Sequence, residues 1–596
     1  MREYRVPAIA PVAETENLST AVYDNAERHG DAMAFRRKVG SEWIDVTARE
    51  FADHVTRLAA GLIAAGVAPG DRVGVLSRTR YEWTLIDYAI VTAGAITVPI
   101  YETSSAEQVA WILTDSGAKA VFVELPGHHE IVDGVAEQVP DLQQVWEIEA
   151  GAVDALIEQG ADVPADEVHK RRHAVRSSDL STVIYTSGTT GRPKGCELTH
   201  HNLVALTKAA SSVFSNLLNP DGSVLLFLPL AHVFAKDIEC GGVYTCTTIG
   251  HTPDIKELLP DLAEFKPTFV LAVPRVFEKV YNGALQKAHG DGKGKIFDAA
   301  AATAVEWSRA LDTGGPGLAV KLKHAVFDRL VYSRLRAVLG GRCLGAVSGG
   351  APLGERLGHF FRGIGVPVYE GYGLTETSGG ITANGVKAFR VGTVGRPMPG
   401  NAVRIADDNE VLLSGDNVFR GYWRNPEATA EAMTDGWFHT GDLGELDDAG
   451  FLRITGRKKE IIVTAGGKNV APAVLEDRLR AHPLISQTMV VGDGQPFIGA
   501  LITIDPEALP AWRAAHGKRQ GEDAADLVDD EDLLAEIERA VQDANKAVSH
   551  AEAIKKFRIL PADLTVEGGE LSAKQSVKRH VVAKVYADDI AAIYAR

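Results

Sequence analysis

Two patterns of hydrophobic and polar positions alternate along the first 400 residues. From about Ser19 to Gly117, stretches with helical spacing such as FADHVTRLAAGLIAAG are followed by apolar, β-rich runs such as RVGVLS and AITVPIY. The same rhythm returns between Leu180 and Val394, where TVIYT, SVLLFLP, TFVLAV and LGAVS run into turns rich in Gly, Pro or Ser. This alternation predicts an α/β fold with a largely parallel sheet, whose ligands collect at the strand ends.

The pattern changes after residue 403. Short β runs broken by DD, GD and AG turns reach Gly456, and the segment GRKKEIIVTAGGKNVAP follows. We predict an N-terminal domain over residues 1–456, a hinge at 457–460 and a C-terminal lid domain over 461–596. The last part mixes strands (QTMVVGD, FIGALITI) with helices, and the acidic stretch GEDAADLVDDEDLL is interpreted as a solvated surface helix.

Composition narrows the class of protein. A chain of 596 residues is too long for one hydrophobic core. The net charge of -17 disfavours nucleic acid as a partner. Four cysteines without CxxC spacing favour a reducing, cytoplasmic setting. The longest nearly apolar run, Tyr88 to Tyr101, is shorter than the ~18–20 residues of a membrane span, so we predict no transmembrane segment but leave room for peripheral membrane contact.

The segment YTSGTTGRPKG, from Tyr185 to Gly195, has the composition of a phosphate-binding loop. It follows the β run 181–184 and precedes a helix that we expect Thr199 to cap. Its glycines allow close backbone approach, its hydroxyls donate hydrogen bonds and its lysine supplies positive charge. The candidate phosphate ligands are Thr186, Ser187, Gly188, Thr189, Thr190, Gly191 and Lys194. The spacing differs from that of a Walker loop.

This loop resembles the signature of the adenylate-forming superfamily. SGGAPL (348–353), YGLTET (372–377), GWFHTGDLG (436–444) and GRKKE (456–460) resemble the later motifs of that family, in order and spacing. The resemblance covers residues 20–590. It implies a large N-terminal domain of two α/β subdomains plus a small distorted β-barrel, and a small mobile α+β C-terminal domain. It also implies a two-step reaction in which a carboxylate attacks the α-phosphate of ATP and a thiol then attacks the acyl-adenylate.

The resemblance implies roles for residues outside the loop. Glu376 is the implied Mg²⁺ ligand, with Thr186 as a helper, and Thr375 is placed near the α-phosphate. The adenine-binding residues are Tyr372 and Gly373 on one side and Gly349, Gly350 and Ala351 on the other. Asp442 is expected to accept hydrogen bonds from the ribose hydroxyls, with Arg457 beside the ribose or phosphate.

The C-terminal domain is expected to rotate between the two steps. Lys459 matches the hinge position of the family, Gly466 and Gly467 match the loop that lines the pantetheine tunnel of CoA, and Lys468 is the cation beside them. The alternatives are that Lys459 is an ordinary surface lysine and that Gly466 and Gly467 form an ordinary turn.

One position departs from the family pattern. When the stretch GELSAKQSVKR is aligned to the family pattern at Arg579, the position of the lysine that contacts the carboxylate and the α-phosphate is occupied by Ser576. If this stretch is extended, Lys574 and Lys578 share a face with Ser576. We therefore assign the adenylating lysine to Lys574. Lys578 in the same role, and loss of adenylation, stay open as the alternatives.

Three segments favour a long acyl chain as the substrate. VPRVFEKV (273–280), PLAHVFAKD (229–237) and GGKNVAP (466–472) resemble long-chain fatty acyl-CoA synthetases. His232 is expected near the carboxylate, unless it is a core histidine. The apolar runs 225–228 and 270–273 fit either an acyl tunnel or sheet core, so the sequence leaves the preferred chain length open.

The function predicted from these motifs is activation of a long-chain fatty acid with ATP, Mg²⁺ and CoA. Two rivals remain open: a fatty acyl-AMP ligase that delivers to a carrier protein, and a non-catalytic nucleotide or acyl-CoA sensor. Nothing in the sequence indicates the oligomeric state.

Overall fold

The computed structural model describes residues 2–186, 192–519, 521–572 and 575–595. The strands are β1 (Glu3–Arg5), β2 (Met33–Val39), β3 (Glu42–Thr47), β4 (Arg72–Leu76), β5 (Ile96–Ile100), β6 (Ala120–Val123), β7 (Gln144–Glu147), β8 (Leu180–Thr186), β9 (Lys194–Thr199), β10 (Ser223–Leu226), β11 (Thr248–His251), β12 (Phe269–Ala272), β13 (Gly345–Ser348), β14 (Val368–Leu374), β15 (Gly379–Ala383), β16 (Arg396–Pro397), β17 (Asn401–Ile405), β18 (Glu410–Gly415), β19 (Gly421–Tyr422), β20 (Met433–Thr434), β21 (Trp437–Leu446), β22 (Leu452–Arg457), β23 (Ile462–Val463), β24 (Asn469–Val470), β25 (Ile485–Val491), β26 (Ile498–Ile504) and β27 (Ile554–Ile559).

The helices are α1 (Leu18–Arg28), α2 (Ala48–Ala64), α3 (Tyr81–Thr92), α4 (Ala106–Ser116), α5 (Pro126–Gly134), α6 (Ala152–Gln159), α7 (Ala165–Ala174), α8 (His200–Val213), α9 (Val233–Thr245), α10 (Leu258–Phe265), α11 (Pro274–Gly290), α12 (Gly294–Leu311), α13 (Leu318–Phe327), α14 (Ser333–Val338), α15 (Glu355–Gly363), α16 (Pro426–Ala432), α17 (Pro472–Arg480), α18 (Leu509–Ala515), α19 (Ala524–Leu527), α20 (Glu531–Asn545), α21 (Arg579–Val585) and α22 (Ala587–Tyr594). A π-helical turn, Asp328–Tyr332, joins α13 to α14.

The first sheet has the strand order β19-β9-β8-β5-β4-β6-β7. Its middle strands β4 to β8 are parallel, as the alternating sequence pattern predicts, whereas β8 and β9 form an antiparallel hairpin. The hairpin leads into α8, whose N-cap is Thr199: the Thr199 side chain accepts a hydrogen bond from the Asn202 N–H at 3.2 Å. The predicted cap is confirmed.

The second sheet has the order β16-β15-β14-β13-β12-β10-β11-β2-β3, and it is parallel from β14 through β2. Residues of α8 and α9 pack in one hydrophobic cluster, whereas those of α10 to α12, α14 and α15 pack in another. Leu225 and Leu226 of β10 are fully buried, and so are the residues of β12. The strand parts of these runs are therefore sheet core, whereas Phe227, Leu228 and Val273 at their ends are half-buried, and Val273 lines the cleft described below.

Two smaller β structures complete the chain. An antiparallel sheet, β1-β17-β18-β21-β20 with β22 on β21, corresponds to the predicted distorted barrel, and β25-β26-β27 forms the sheet of the C-terminal part. The domain limits of 456 and 461 stay a prediction.

The predicted acidic surface helix is only partly correct. The stretch 521–534 contains the short helix α19 and the start of α20, separated by a break at 528–530, and it buries Leu527 and Leu533. A solvated helix would bury neither leucine. No described helix is long and apolar enough to cross a membrane.

Candidate active site

A cleft of about 3300 Å³ gathers most of the predicted site residues. Its walls come from the ends of β8, β13 and β14, from the start of α9 and α11, and from the C-terminal segments that follow β22. Among the predicted residues, the cleft is lined by Thr186, Lys194, His232, Gly349, Gly350, Ala351, Tyr372, Gly373, Thr375, Glu376, Asp442, Arg457 and Lys459. The polar ends of the strands therefore meet in one place, as open α/β sheets require.

Asp442, Tyr372 and Arg457 form one hydrogen-bonded group. The Tyr372 hydroxyl donates to Asp442 Oδ2 at 2.6 Å, and Arg457 Nε lies 2.9 Å from Asp442 Oδ1. The register of β21 and β22 pairs Asp442 directly with Arg457. The Asp442 side chain is 3% exposed and that of Arg457 is 46% exposed, so the carboxylate is buried at the bottom and the guanidinium covers it.

The electrostatics of this group keep Tyr372 a donor. Burial, and then the neighbouring Asp442 carboxylate, raise the pKa of Tyr372 well above its ordinary value. Asp442 has two oxygens with about four acceptor positions, of which Tyr372 and Arg457 use two. Capacity for further donors remains on Asp442, consistent with its predicted contact to ribose hydroxyls.

A side chain would clash or strain the backbone at the glycines of the predicted adenine wall. A Cβ on Gly349 would lie 3.2 Å from the ring of Phe234, and Gly350 has φ +81°. A Cβ on Gly373 would lie 1.6 Å from the carbonyl oxygen of Gly379. Glycine therefore allows Phe234 to approach the end of β13 and β15 to approach β14, and all three glycines line the cleft with bare backbone.

Glu376 is held by a tyrosine that sequence reasoning missed. It lies in a 3₁₀ turn (Thr375–Thr377) directly after β14, and the Tyr422 hydroxyl donates to Glu376 Oε1 at 2.8 Å. Lys194 Nζ lies 4.9 Å from the centroid of the Tyr422 ring. Thr186 pairs with Lys194 across the β8–β9 hairpin. Lysine, threonine and carboxylate therefore converge on the strand ends that flank the phosphate loop.

The loop residues Ser187, Gly188, Thr189, Thr190 and Gly191 lie outside the described residues. Their predicted phosphate contacts stay predictions.

His232 is the N-cap of α9. Its Nδ1 accepts a hydrogen bond from the Phe234 N–H at 3.1 Å. An accepting Nδ1 places the proton of the neutral ring on Nε2, so His232 can present an N–H donor. It lines the cleft and is not a core histidine.

Part of the cleft wall is apolar. This apolar wall carries Leu206 and Ala210 from α8, Phe214 directly after α8, Ile238 from α9, Ala383 from β15 and Met398 after β16. The apolar wall, and not β10 or β12, is the candidate site for an acyl chain.

Asp237 is a second residue that sequence reasoning missed. It belongs to α9, is 8% exposed, and its Oδ2 accepts a hydrogen bond from the Gly380 N–H at 3.0 Å. Its Oδ1 is buried and has no hydrogen-bond partner among the described residues. Burial raises the pKa of Asp237 well above its usual range, so the neutral carboxyl is favoured.

Three predicted CoA residues lie away from the cleft in this conformation. Gly466 and Gly467 are exposed in the turn between β23 and β24, and Lys468 Nζ pairs with Glu552 Oε1 at 3.0 Å. Lys459 is exposed at the cleft edge, in the turn after Arg457. The tunnel and hinge roles stay predictions.

The expectation of an extended chain around Ser576 is wrong. The Gln575 N–H donates to the Ser572 carbonyl at 2.7 Å, the Ser572 N–H donates to the Ser576 carbonyl at 2.9 Å, and Gln575 has φ 60°. The chain turns here, so the alternation that placed Lys574 and Lys578 on one face with Ser576 does not apply. Lys574 lies outside the described residues, and its assignment stays a prediction.

Comparisons with known proteins decide the family. Residues 22–423 match the family described as AMP-binding enzyme, and residues 459–596 match the AMP-binding enzyme C-terminal domain. The chain belongs to the AMP-binding enzyme family. The predicted superfamily is confirmed.

Relatives and solved structures agree with this membership. The chain is 57% identical over 597 residues to the long-chain-fatty-acid–CoA ligase FadD15 of Mycobacterium tuberculosis, covering 100% of both chains. It is 31% identical to the long-chain-fatty-acid–CoA ligase ACSBG2 of Xenopus laevis, covering 96% of this chain and 82% of the relative. The A-PCP didomain of carboxylic acid reductase from Segniliparus rugosus, solved with AMP, superposes with a TM-score of 0.75 at 21% identity, covering 98% of this chain and 83% of the didomain chain. The predicted fold is confirmed.

Proposed function

We propose that this protein is a long-chain fatty acid–CoA ligase that works through an acyl-adenylate. The full-length 57% identity to a mycobacterial long-chain-fatty-acid–CoA ligase is the observation that carries the proposal. The cleft supports it, because the hydrogen-bonded group of Tyr372, Asp442 and Arg457 and the apolar wall line the same cleft.

In the first step a carboxylate oxygen of the fatty acid attacks the α-phosphorus of ATP, and the bond to the β-phosphate oxygen breaks to release pyrophosphate. Asp442 and Tyr372 hold ribose and adenine, and the Nε2–H of His232 orients the carboxylate. Lys194 and Lys574 neutralise phosphate charge. Fixing both reactants removes much of the entropic barrier, and the cations stabilise charge that develops in the transition state.

Mg²⁺ belongs to this proposal through the chemistry of its donors. Glu376 has one oxygen, Oε1, held by Tyr422, which leaves Oε2 for a cation, and the Thr186 hydroxyl is a second hard oxygen ligand. These residues fit a magnesium ion that keeps several of its waters. When bound, the ion would neutralise phosphate oxygens.

In the second step the CoA sulfur attacks the carbonyl carbon of the adenylate, a thioester forms and AMP leaves with the electron pair of the broken C–O bond. Lys459 is the proposed hinge for the domain rotation between the steps. Gly466, Gly467 and Lys468 are the proposed neighbours of the pantetheine arm. All four residues are exposed in this conformation, and Lys468 would exchange its ion pair with Glu552 for CoA after a rotation.

The test is acyl-CoA formation from palmitate, ATP, Mg²⁺ and CoA, with pyrophosphate exchange measured separately. We expect CoA-dependent AMP release, slower exchange in Glu376→Gln at a fixed Mg²⁺ concentration, and normal rates in Glu427→Gln, which changes an exposed carboxylate on α16. Accumulation of acyl-AMP that CoA does not discharge would contradict the proposal in favour of a carrier-dependent ligase. Tight ATP binding without exchange would contradict it in favour of a sensor.

A further inference from the structure

One surface helix exposes apolar side chains in a row. On α13, Leu318 is 81% exposed, Leu322 is 71% and Val326 is 55%, and no residue of this helix is buried. At about 100° per residue these three side chains fall within an arc of about 80°. Leu330, in the π-helical turn that follows, is 50% exposed. Contiguous apolar exposure of this kind marks an interaction surface.

The opposite side of α13 is fixed to the protein. The His324 ring stacks on Trp307 of α12 at 4.0 Å between centroids, and His324 Nε2 lies 2.7 Å from the Gly363 carbonyl oxygen. Phe327 is partly buried against the neighbouring core. The helix is therefore held with its apolar arc outward, so the exposure of Leu318 and Leu322 does not come from a loose attachment.

Basic residues border the arc. With the same angular step, Lys321 and Lys323 lie about 60° outside its two opposite edges. The segment 318–336 contains Lys321, Lys323, Arg329, Arg334 and Arg336 but a single carboxylate, Asp328. Arg336 Nη1 pairs with Asp328 Oδ1 at 2.7 Å. The other four cations have no carboxylate within 4.0 Å in the part of the chain that the structure describes.

We propose that the α13 face, defined as residues 318–330, docks on the surface of an anionic lipid bilayer. An apolar strip with lysines on both sides is the arrangement by which a helix lies in the interfacial plane, with lysine stems among the acyl chains and ammonium groups at the lipid phosphates. The chain as a whole carries a net charge of -17, which an anionic membrane would repel. A basic segment is therefore needed at the point of contact, and α13 supplies it.

The location of the face suits this role. Helix α13 packs on α12, α12 packs on α11, and the first residues of α11, Pro274 and Arg275, line the cleft. Docking on a bilayer would give the enzyme access to a substrate that partitions into lipid, and this advantage rests on the proposed function. The contact between α13 and the bilayer does not rest on it.

The test is flotation of the full-length protein with phosphatidylcholine vesicles, with and without phosphatidylglycerol. We expect retention only on the anionic vesicles, weakened by salt. Leu318→Ser/Leu322→Ser and Lys321→Glu/Lys323→Glu should each lower retention about tenfold or more, because each removes either the apolar contact or about 1 kcal/mol per basic residue. Matched controls are Leu259→Ser/Val585→Ser, 53% and 56% exposed, and Lys170→Glu/Lys546→Glu, 79% and 72% exposed.

Each outcome decides. Retention that is equal for wild type and both α13 variants, or equal on neutral and anionic vesicles, overturns the proposal. A wild-type dimer that becomes monomeric in Leu318→Ser/Leu322→Ser without lipid assigns the face to a second copy and also overturns it. Palmitate activation in detergent, measured on the same variants, should stay at the wild-type rate. If an α13 variant loses palmitate activation in detergent but still binds vesicles as the wild type does, the α13 face is not the docking site. The proposed activity is unaffected by that result, because it is tested on the wild-type protein.

Discussion

Replacing Tyr422 by phenylalanine removes the hydroxyl that holds Glu376 and keeps the ring below Lys194. The Tyr422–Glu376 hydrogen bond is 2.8 Å long and joins a neutral donor to a carboxylate. Burial, and then the Glu376 charge, raise the pKa of Tyr422 far above its usual value, so the hydroxyl stays a donor at neutral pH.

The magnitude follows from the type of bond. A hydrogen bond to a charged group contributes ~1.5–3 kcal/mol, and because Glu376 is only half-buried, water replaces part of it. We expect a net loss near the lower figure, which corresponds to a decrease of about tenfold in rate. Removing the aromatic face as well, in Tyr422→Leu, should cost ~0.5–1 kcal/mol more through the lost contact with Lys194.

The assay is pyrophosphate exchange at varied Mg²⁺. In Tyr422→Phe the maximal rate should fall while the half-saturating Mg²⁺ concentration stays the same or decreases, since Oε1 becomes available to the ion. In Glu376→Gln the half-saturating concentration should rise. The control is Tyr23→Phe: the Tyr23 hydroxyl lies 3.0 Å from Thr56 Oγ1, and Tyr23 is not among the described residues that line the cleft. An exchange rate in Tyr422→Phe within twofold of wild type would refute this reasoning.

Three further changes have defined outcomes. Lys236→Met removes a fully buried ammonium whose Nζ lies 2.5 Å from Asp87 Oδ2. The free energy of unfolding, measured in urea, should therefore fall by ~3–5 kcal/mol. A decrease below ~1 kcal/mol would contradict the ion pair. Asp237→Asn keeps the shape of the favoured neutral carboxyl, so it should cost less than Asp237→Ala. Because the folded pKa of Asp237 is raised, wild-type stability should decline as pH rises above the unfolded-state value of ~4, and the asparagine variant should lack that part of the slope. Lys574→Ala should lower the rate of pyrophosphate exchange about 100-fold. Adding Ser576→Lys to that variant should restore part of the rate. Unchanged exchange in Lys574→Ala would show that another residue neutralises the α-phosphate.

Residues inside local motifs could be predicted from the sequence. Glu376, Asp442 and Tyr372 each lie in a short motif that resembles the adenylate-forming superfamily, and β14 and β21 carry these motifs to the cleft. The N-cap Thr199 was predictable for the same reason, since its capping partner Asn202 is three residues away.

Residues that act through distant pairing could not be predicted. Tyr422 reaches Glu376 because β19 adds to β9, a strand more than 200 residues earlier in the chain. No local spacing carries that information. The turn around Gln575 was missed for a different reason: it needs a left-handed residue, and a non-glycine at that position gives no signal.

Helix α9 links the separate parts of the site. Its N-cap, His232, faces the cleft, and Asp237, five residues on, binds the Gly380 N–H just after the turn that carries Glu376. Lys236, between them in sequence, is anchored to Asp87 of α3. The helix that orients the carboxylate in the proposed reaction is therefore also bonded to the segment that follows Glu376, the proposed metal ligand. A change that shifts α9 should misalign both reactants at once, and because alignment supplies much of the rate, it should lower the first step more than it weakens the binding of either substrate.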